Sequence, residues 1–359
     1  MTLTSIPLDD ERRPAMAGTR VTLPDVAARA GVSLGSASRA LHGTGASPAM
    51  VERVRAAAAE LGYQPDATGR SLRMRKTFQI AFAVADIGNP VYVEMMTAIQ
   101  SVVAERGYRL VVASTGGSPQ STAELVAGLA AGLVDGLILS PLRTSPELGQ
   151  QLTSSGMPVV VIGRTGESTL DTVTTDSAGG IGQAVDHLLA LGHRRIAFLN
   201  GPLDTTPGEA RQRGFDAAAP AMAAVGAQAV ECRVAADFTV AAGLEAARAL
   251  LDEHPGRIDA LVAANDLLAV GAIKAAVERG LSVPGDLAVT GMDDTELAGV
   301  FQPSLTSVSL RSSERGRAAA TLLLERLADP GRAATTVTVA PTLISRESSS
   351  TLTDEEVAR

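Results

Sequence analysis

Eight side chains of this 359-residue sequence have the types and spacing of a small polar binding cleft. Asp86, Asn89 and Tyr92 follow an apolar run at 80–85, and Asp176 follows a later one. Asn265 and Asp293 close the runs at 260–263 and 287–290. Arg211 lies early in the helical stretch after Gly201-Pro202, and Phe238 follows Asp237 in a loop. Carboxylates, an amide and a guanidinium around an aromatic face suit a neutral polyhydroxylated ligand. Adjacent hydroxyls donate and accept in pairs while the ring stacks on the aromatic. Taken singly, each of these polar residues is more often a helix cap or a turn residue, which is how Asp266 and Asp294 are read. His193, in the turn Leu191-Gly192-His193, is read as structural, with no nucleophile beside it.

A second constellation lies near the N-terminus. Ser33, Ser36 and Ser38 offer short hydroxyls to phosphates or bases, and Arg39 has the fork that pairs with guanine in two hydrogen bonds. Catalytic readings of the same region fail on context. Gly31-Val-Ser33-Leu-Gly35 matches the hydrolase G-x-S-x-G pattern, but that chemistry needs a strand before the turn and a helix precedes Gly31. Gly180-Ile-Gly182 begins like a dinucleotide fingerprint, yet Val185 stands where the third glycine belongs. No phosphate-loop motif and no S-x-x-K motif occurs. One cysteine, Cys232, and four histidines without ligand spacing argue against a structural zinc.

The elements that position these residues fall into two textures. Leu23, Val26, Ala27 and Ala30 sit at helical spacing before Gly31. Ser33 caps a second helix running to Leu41, and Ser47-Pro48 opens a third over 48–61 that Gly62 stops. Residues 63–76, with Pro65, Gly69 and four basic side chains, form a linker in which Leu72 is either an apolar wedge for a DNA base step or a residue packed on the third helix. Beyond residue 76, short apolar runs at 80–85, 110–113, 136–139, 159–162, 196–199, 260–263 and 287–290 recur. Helical stretches such as 91–106, 122–132, 181–191 and 267–279 lie between them. That alternation predicts βαβ units and parallel sheets buried on both faces, in two similar lobes. Ligands of such sheets sit beyond the carboxyl ends of the strands, where the eight side chains lie.

Charge follows the same division. The chain carries 31 Lys+Arg and 39 Asp+Glu, a total of −8. Residues 20–76 hold nine basic side chains against four acidic ones, a net +5 that leaves −13 for the remainder. A basic module on an acidic body is the footprint of a polyanion-binding headpiece; the bland alternative is a solvated helical surface. The single cysteine fits a reducing compartment. No apolar run approaches the ~18 residues that span a bilayer, and residues 1–19 do not read as a secretory signal.

At this level of detail the sequence is similar to the lactose-repressor (LacI/GalR) family. The resemblance is carried by VTLPDVAARAGVSLGSASRAL, SPAMVERVRAAAAELGYQPDATGRSL and LGHRRIAFLNGP at 192–202. It extends through R-x-x-G-F at 211–215, ADF at 236–238, ANDLLAVGA at 264–272, GLSVPGDLAVTGMDD at 280–294, PSLTSV at 303–308 and LISRES at 343–348. It spans about 21–349. It implies a small all-α helix-turn-helix headpiece plus an α/β two-lobed, periplasmic-binding-protein-like (type I) effector domain. It further implies a homodimeric repressor that binds a palindromic operator in double-stranded DNA and is switched by a small-molecule effector, a sugar first of all. Leu34, Gly35 and Arg39 would face the bases, with Ser33, Ser36 and Ser38 on the backbone. Thr22, Leu23, His42 and Arg70 would add DNA contacts, and Leu72 would be the hinge wedge. Asp176, Arg211 and Asp293 match family effector positions. Two departures matter. Leu34 and Gly35 replace larger polar readers, and Gly69 replaces a hinge alanine at a cost of ~1 kcal/mol in helix propensity.

The resulting expectation is a leader at 1–19, a headpiece at 20–64, a hinge helix at 65–76, an effector and dimerisation domain at 77–349, and a tail at 350–359. The N-lobe would hold about 77–176 plus 308–330, and the C-lobe 177–307 plus 331–349. The protein would be cytoplasmic, with no membrane partner, cofactor, metal or catalytic activity. The rivals are a transporter's solute-binding protein, which would share the two lobes, and an α/β-hydrolase.

Overall fold

A computed structural model describes residues 21–42, 45–63, 76–164 and 169–350. The chain divides into two units, Met1–Arg75 and Lys76–Arg359. The expected hinge contacts Arg70 and Leu72, and the side chain of His42, lie outside the described residues.

In the first unit, helix α1 (Leu23–Ala30) starts where the Asp25 carboxylate accepts from the backbone N–H and hydroxyl of Thr22, at 2.8 and 2.6 Å. It ends at Gly31, whose φ of 63° is the left-handed conformation that a Cβ disfavours. Helix α2 (Leu34–His42) follows after a turn of three residues. The Ser33 hydroxyl accepts from the Ser36 backbone N–H at 3.2 Å, satisfying one of the amides left unpaired at a helix start. Helix α3 (Pro48–Glu60) carries proline in its first turn, but the Ser47 side chain makes no capping bond. Val26, Ala27, Ala30, Ala37, Ala40, Val54, Ala57 and Ala58 form the small core. Its alanines let the helices approach closely, and Arg29 bridges α1 to Glu60 of α3 at 2.6 Å.

The second unit contains two six-stranded sheets. The first is built from β1 (Gln79–Val84), β2 (Arg109–Ser114), β3 (Gly136–Ser140), β4 (Val159–Ile162), β5 (Asp171–Thr175) and β11 (Thr336–Val339), in the order β11-β5-β4-β3-β1-β2. The second is built from β6 (Arg195–Asn200), β7 (Gln228–Val234), β8 (Ala260–Ala263), β9 (Ala288–Asp293), β10 (Thr306–Ser309) and β12 (Thr342–Ile344), in the order β12-β10-β9-β8-β6-β7. Neighbouring strands are parallel except β10 and β12. The central strands are buried along nearly their whole length, as sheets covered by helices on both faces require.

The connecting helices are α4 (Val91–Glu105), α5 (Pro119–Ala130), α6 (Pro146–Ser154), α7 (Ser177–Ala190), α8 (Thr206–Ala217), α9 (Ala219–Ala224), α10 (Val240–Glu253), α11 (Asp266–Glu278), α12 (Glu296–Val300) and α13 (Ser312–Ala328). The long α13 lies against α4 at Gly316, where a Cβ would stand 2.7 Å from the Met95 carbonyl oxygen. That contact requires glycine and draws the first turn of α13 close to α4.

Two sequence expectations change here. β10 belongs to the second sheet, and β11 to the first, pairing with β5 in parallel register from Thr336↔Thr172 to Val339↔Thr175. The lobe boundaries expected at 308 and 331 therefore shift at these two strands only. The first lobe takes α13 and β11, and the second takes β10 and β12. The threonine-rich strands β5 and β11 lack the solid apolar runs of the centre, so hydropathy alone does not mark them. Edge strand β7 is similarly half-exposed.

Candidate functional site

The two sheets present the carboxyl ends of their strands to one cavity of about 490 Å³. Asp86, Asn89, Tyr92, Arg211, Phe238, Asn265 and Asp293 all line it, gathered from both lobes. Asp176 does not. Its exposed carboxylate accepts from the Gly179 backbone N–H at 2.8 Å and caps α7. A Cβ at position 179 would fall 2.2 Å from that carboxylate, so glycine there serves the cap. Asp176 thus caps α7 between the lining residues Thr175 and Ser177.

At the buried end, Arg211 and Asp293 are each about 7% exposed and meet at 3.4 Å. The Arg211 guanidinium also stands over the Phe238 ring, 5.7 Å from its centre, a cation–π arrangement. Phe238 is held in turn against Gly201, where any Cβ would clash with the ring. Asp293 has φ of 112°, a conformation L-residues rarely adopt, and the next residue, Asp294, has φ of 53°. Two consecutive strained non-glycine residues at a cavity wall mark a place where side-chain direction outweighs backbone comfort. Burial pushes the Asp293 carboxyl above the ordinary carboxylate range, and Arg211 and Arg315 pull it back. Burial likewise raises the Tyr92 phenol, against a hydrogen bond with Ser140.

The remaining polar groups are partly committed. Asp86 accepts from the Gly88 N–H at 2.8 Å, and Asn89 from the Val91 N–H at 3.1 Å. Asn265 caps α11 by accepting from Leu268 at 2.9 Å, and its amide donates to the Phe238 carbonyl at 3.3 Å. Asp266, expected to be a cap, is instead fully buried at the head of α11. It accepts from Ser307 at 2.5 Å and from the Thr295 N–H and hydroxyl at 2.8 and 3.0 Å, and burial beside Asp293 pushes its pKa up to about 7. Asp294 pairs with Arg346 at 2.7 Å.

Sequence reasoning missed Arg143 and Arg315. Arg143 of the first lobe holds Asp204 of the second through two hydrogen bonds, at 2.8 and 3.0 Å, and donates to the Gly117 carbonyl at 2.8 Å. With the Thr206 N–H donating to the Leu142 carbonyl at 2.9 Å, it ties the lobes at the rim. Arg315 enters the cavity from the first turn of α13 and is 7% exposed. A signal existed: Arg315 precedes the buried Ala319, Leu322 and Leu323 at i+4, i+7 and i+8, placing it on the inward face.

On the first unit, the N-terminal end of α2 carries a small polar network. Ser33 and Ser36 hydroxyls lie 2.9 Å apart, and the Arg39 guanidinium donates to Ser36 at 3.3 Å. Leu34 is 51% exposed, and Gly35 and Arg39 are also exposed, while Ser38 is half-buried. Thr22 is exposed with its hydroxyl spent on Asp25, and Leu23 packs on the helical core. Among the described residues no helix is long and apolar enough to cross a membrane.

Comparison with known proteins agrees with this architecture. Residues 22–66 match the bacterial regulatory proteins of the lacI family, and residues 185–349 match a periplasmic binding protein-like domain. The chain is 37% identical to the HTH-type transcriptional regulator CelR of Thermobifida fusca, over 86% of this chain and 92% of that one. It is 35% identical to the ribose operon repressor of Escherichia coli K12, over 91% and 99%. A solved lac repressor dimer bound to operator and the anti-inducer ONPF superposes with a TM-score of 0.80 at 27% identity, covering 92% of this chain and 99% of that one. A CelR–cellobiose complex gives 0.68 at 34% identity, over 92% and 100%. These relatives are transcriptional regulators, not enzymes or solute carriers, which closes the hydrolase and transporter readings of the sequence. The chain belongs to the lacI family and is a DNA-binding transcriptional regulator.

Proposed function

We propose that this regulator is a cytoplasmic repressor that binds a palindromic operator as a homodimer and changes its affinity when a small polyhydroxylated effector of the sugar class enters the cavity between its lobes. The observation that carries the reading is the buried Arg211–Asp293 pair beside Phe238, at the meeting of strand ends from both sheets. A charged pair costs several kcal/mol per ion to desolvate, and bridging the hydroxyls of a ring stacked on Phe238 gives it a use that packing alone does not. The two CelR and ribose-repressor relatives point to the same class of ligand.

The headpiece at 20–64 then places α2 in the major groove. Arg39 contacts guanine, Leu34 offers an apolar contact to a thymine methyl, Ser33, Ser36 and Ser38 hold phosphates, and the hinge at 65–76 with Arg70 and Leu72 reaches the centre of the operator. One headpiece makes too few contacts, and pairing two raises their effective concentration on two half-sites. An effector acts only through a difference in its affinity for the two states of the dimer.

The test is fluorescence anisotropy on duplex DNA from upstream of the protein's own gene, across salt concentrations, with and without a sugar panel. Specific binding should fall linearly in log salt and shift with one ligand of the panel. Absence of specific binding to any such fragment overturns the repressor reading.

A further inference from the structure

Three residues of the cavity lining each hold a buried polar atom that has no hydrogen-bond partner among the described residues: Thr175 Oγ1, Arg211 Nε and Arg315 Nε. Arg315 is the most exceptional. It is 7% exposed, and among the described residues its guanidinium donates only to the Ser312 hydroxyl, at 3.2 Å. A guanidinium has five N–H donors and no acceptor. Arg211 adds five more and places one on Asp293. The buried end of the cavity therefore presents two guanidinium groups to a single carboxylate. The other charged side chains at the wall do not correct this. Arg143 is matched by Asp204, and Arg164 and Asp86 are exposed. Asp237 turns an oxygen back on the Phe238 N–H at 2.7 Å. Glu94 lies outside the cavity lining, half-buried among Asp294, Arg315 and Glu296; its charge favours the Arg315 cation from outside the cavity without a hydrogen bond to it.

This imbalance decides between ligand chemistries. A neutral polyol brings roughly one donor with every acceptor, so it leaves the donor surplus and the excess positive charge where they were. A carboxylate brings two acceptor oxygens, no donor and one negative charge, and its planar fork matches a guanidinium. A phosphate dianion would overshoot a surplus of one.

We propose that Arg315 is an anion-recognising residue and that the effector of this regulator is a sugar acid, whose carboxylate meets Arg315 at the buried end of the cavity while its hydroxyls meet Asp293, Asn89 and Arg211. The inference rests on the cavity being the effector site and narrows the class of ligand that site takes. It also gives a hydrogen-bonding partner to a guanidinium that, among the described residues, bonds no carboxylate: burial drives the Arg315 pKa down to about 10 against the pull of Asp293, a cost that a bound anion offsets.

The test is calorimetric titration of the full-length protein with matched probes: glucose, gluconate, glucuronate and glucose 6-phosphate, with galactose, galacturonate, ribose and ribose 5-phosphate. The same titrations are run on Arg315→Met. At least one acid should bind tenfold or more tighter than its neutral parent and its phosphate, and Arg315→Met should lose tenfold or more of that affinity. Preference for a neutral sugar or a sugar phosphate, or an acid preference that survives Arg315→Met, overturns the proposal and leaves the effector cavity standing. Failure of every probe counts against the acid ligand and the effector reading together.

Discussion

Replacing Arg211 with methionine keeps the volume beside Phe238 and deletes the charge, so it isolates what the buried pair does. Two unit charges 3.4 Å apart interact by about 5 kcal/mol at an effective dielectric constant near 20. Stranding one partner of a buried pair generally costs 3–5 kcal/mol. Here Arg315 still faces Asp293 and supports its ionised form, so the lower end applies, about 3 kcal/mol. For a domain of this size, at roughly 2 °C per kcal/mol, the melting temperature should fall by about 6 °C. The sign of the pH dependence follows from Asp293. Its carboxyl titrates above the ordinary range because it is buried, and it rises further once Arg211 is gone. A raised carboxyl costs stability as the pH climbs from the unfolded pKa through the folded one, and it costs nothing below both. The gap between variant and wild type should therefore narrow as the pH is lowered towards 4, and Arg211→Met/Asp293→Asn should recover part of the loss. Thermal melts of the three proteins between pH 4.5 and 8 provide the measurement. A gap that is absent, or equal at every pH, would refute the account of the pair. Operator affinity without ligand should be unchanged.

Further expectations concern other parts of the chain. Arg39→Ala should lose about 1–3 kcal/mol of discrimination at one base pair per half-site, read by anisotropy on operators substituted position by position. Uniform weakening on every sequence would make Arg39 a phosphate contact. Arg143→Ala removes the tie to Asp204, so small-angle scattering should show a more open ligand-free body with the melting temperature little changed, since the pair is partly exposed; an unchanged scattering profile would count against the tie. Asp266, with a pKa of about 7 when folded, should make the wild type lose stability relative to Asp266→Asn as pH rises from about 4 to about 7, and no further above that. Parallel melting curves across that range would mean Asp266 titrates normally.

Much of the fold was legible because its signals are local. Gly31 with φ of 63°, the Ser33 cap and the Thr22–Asp25 pair are interactions within four residues, and each is written in the order of the chain. The central strands announce themselves as solid apolar runs because both faces are buried. The cavity residues were legible to the same extent. Position after a strand marks Asp86, Asn89, Asn265 and Asp293, but not what each carboxylate or amide is spent on. Asp176 and Asp293 look alike in sequence. One caps a helix in solvent and the other is buried against a guanidinium.

The sequence by itself determined a basic three-helix headpiece on an acidic body of alternating strands and helices, because caps, periodicity and charge are set by near neighbours. Only the tertiary structure decided that β11 joins the first sheet and β12 the second, since backbone pairing of threonine-rich strands depends on which edge lies open. It alone decided that Arg315 shares a cavity with Arg211 and Asp293. Helical spacing predicts that Arg315 faces inward; what lies inward there is set by the glycine contact between α13 and α4 and by the meeting of two lobes.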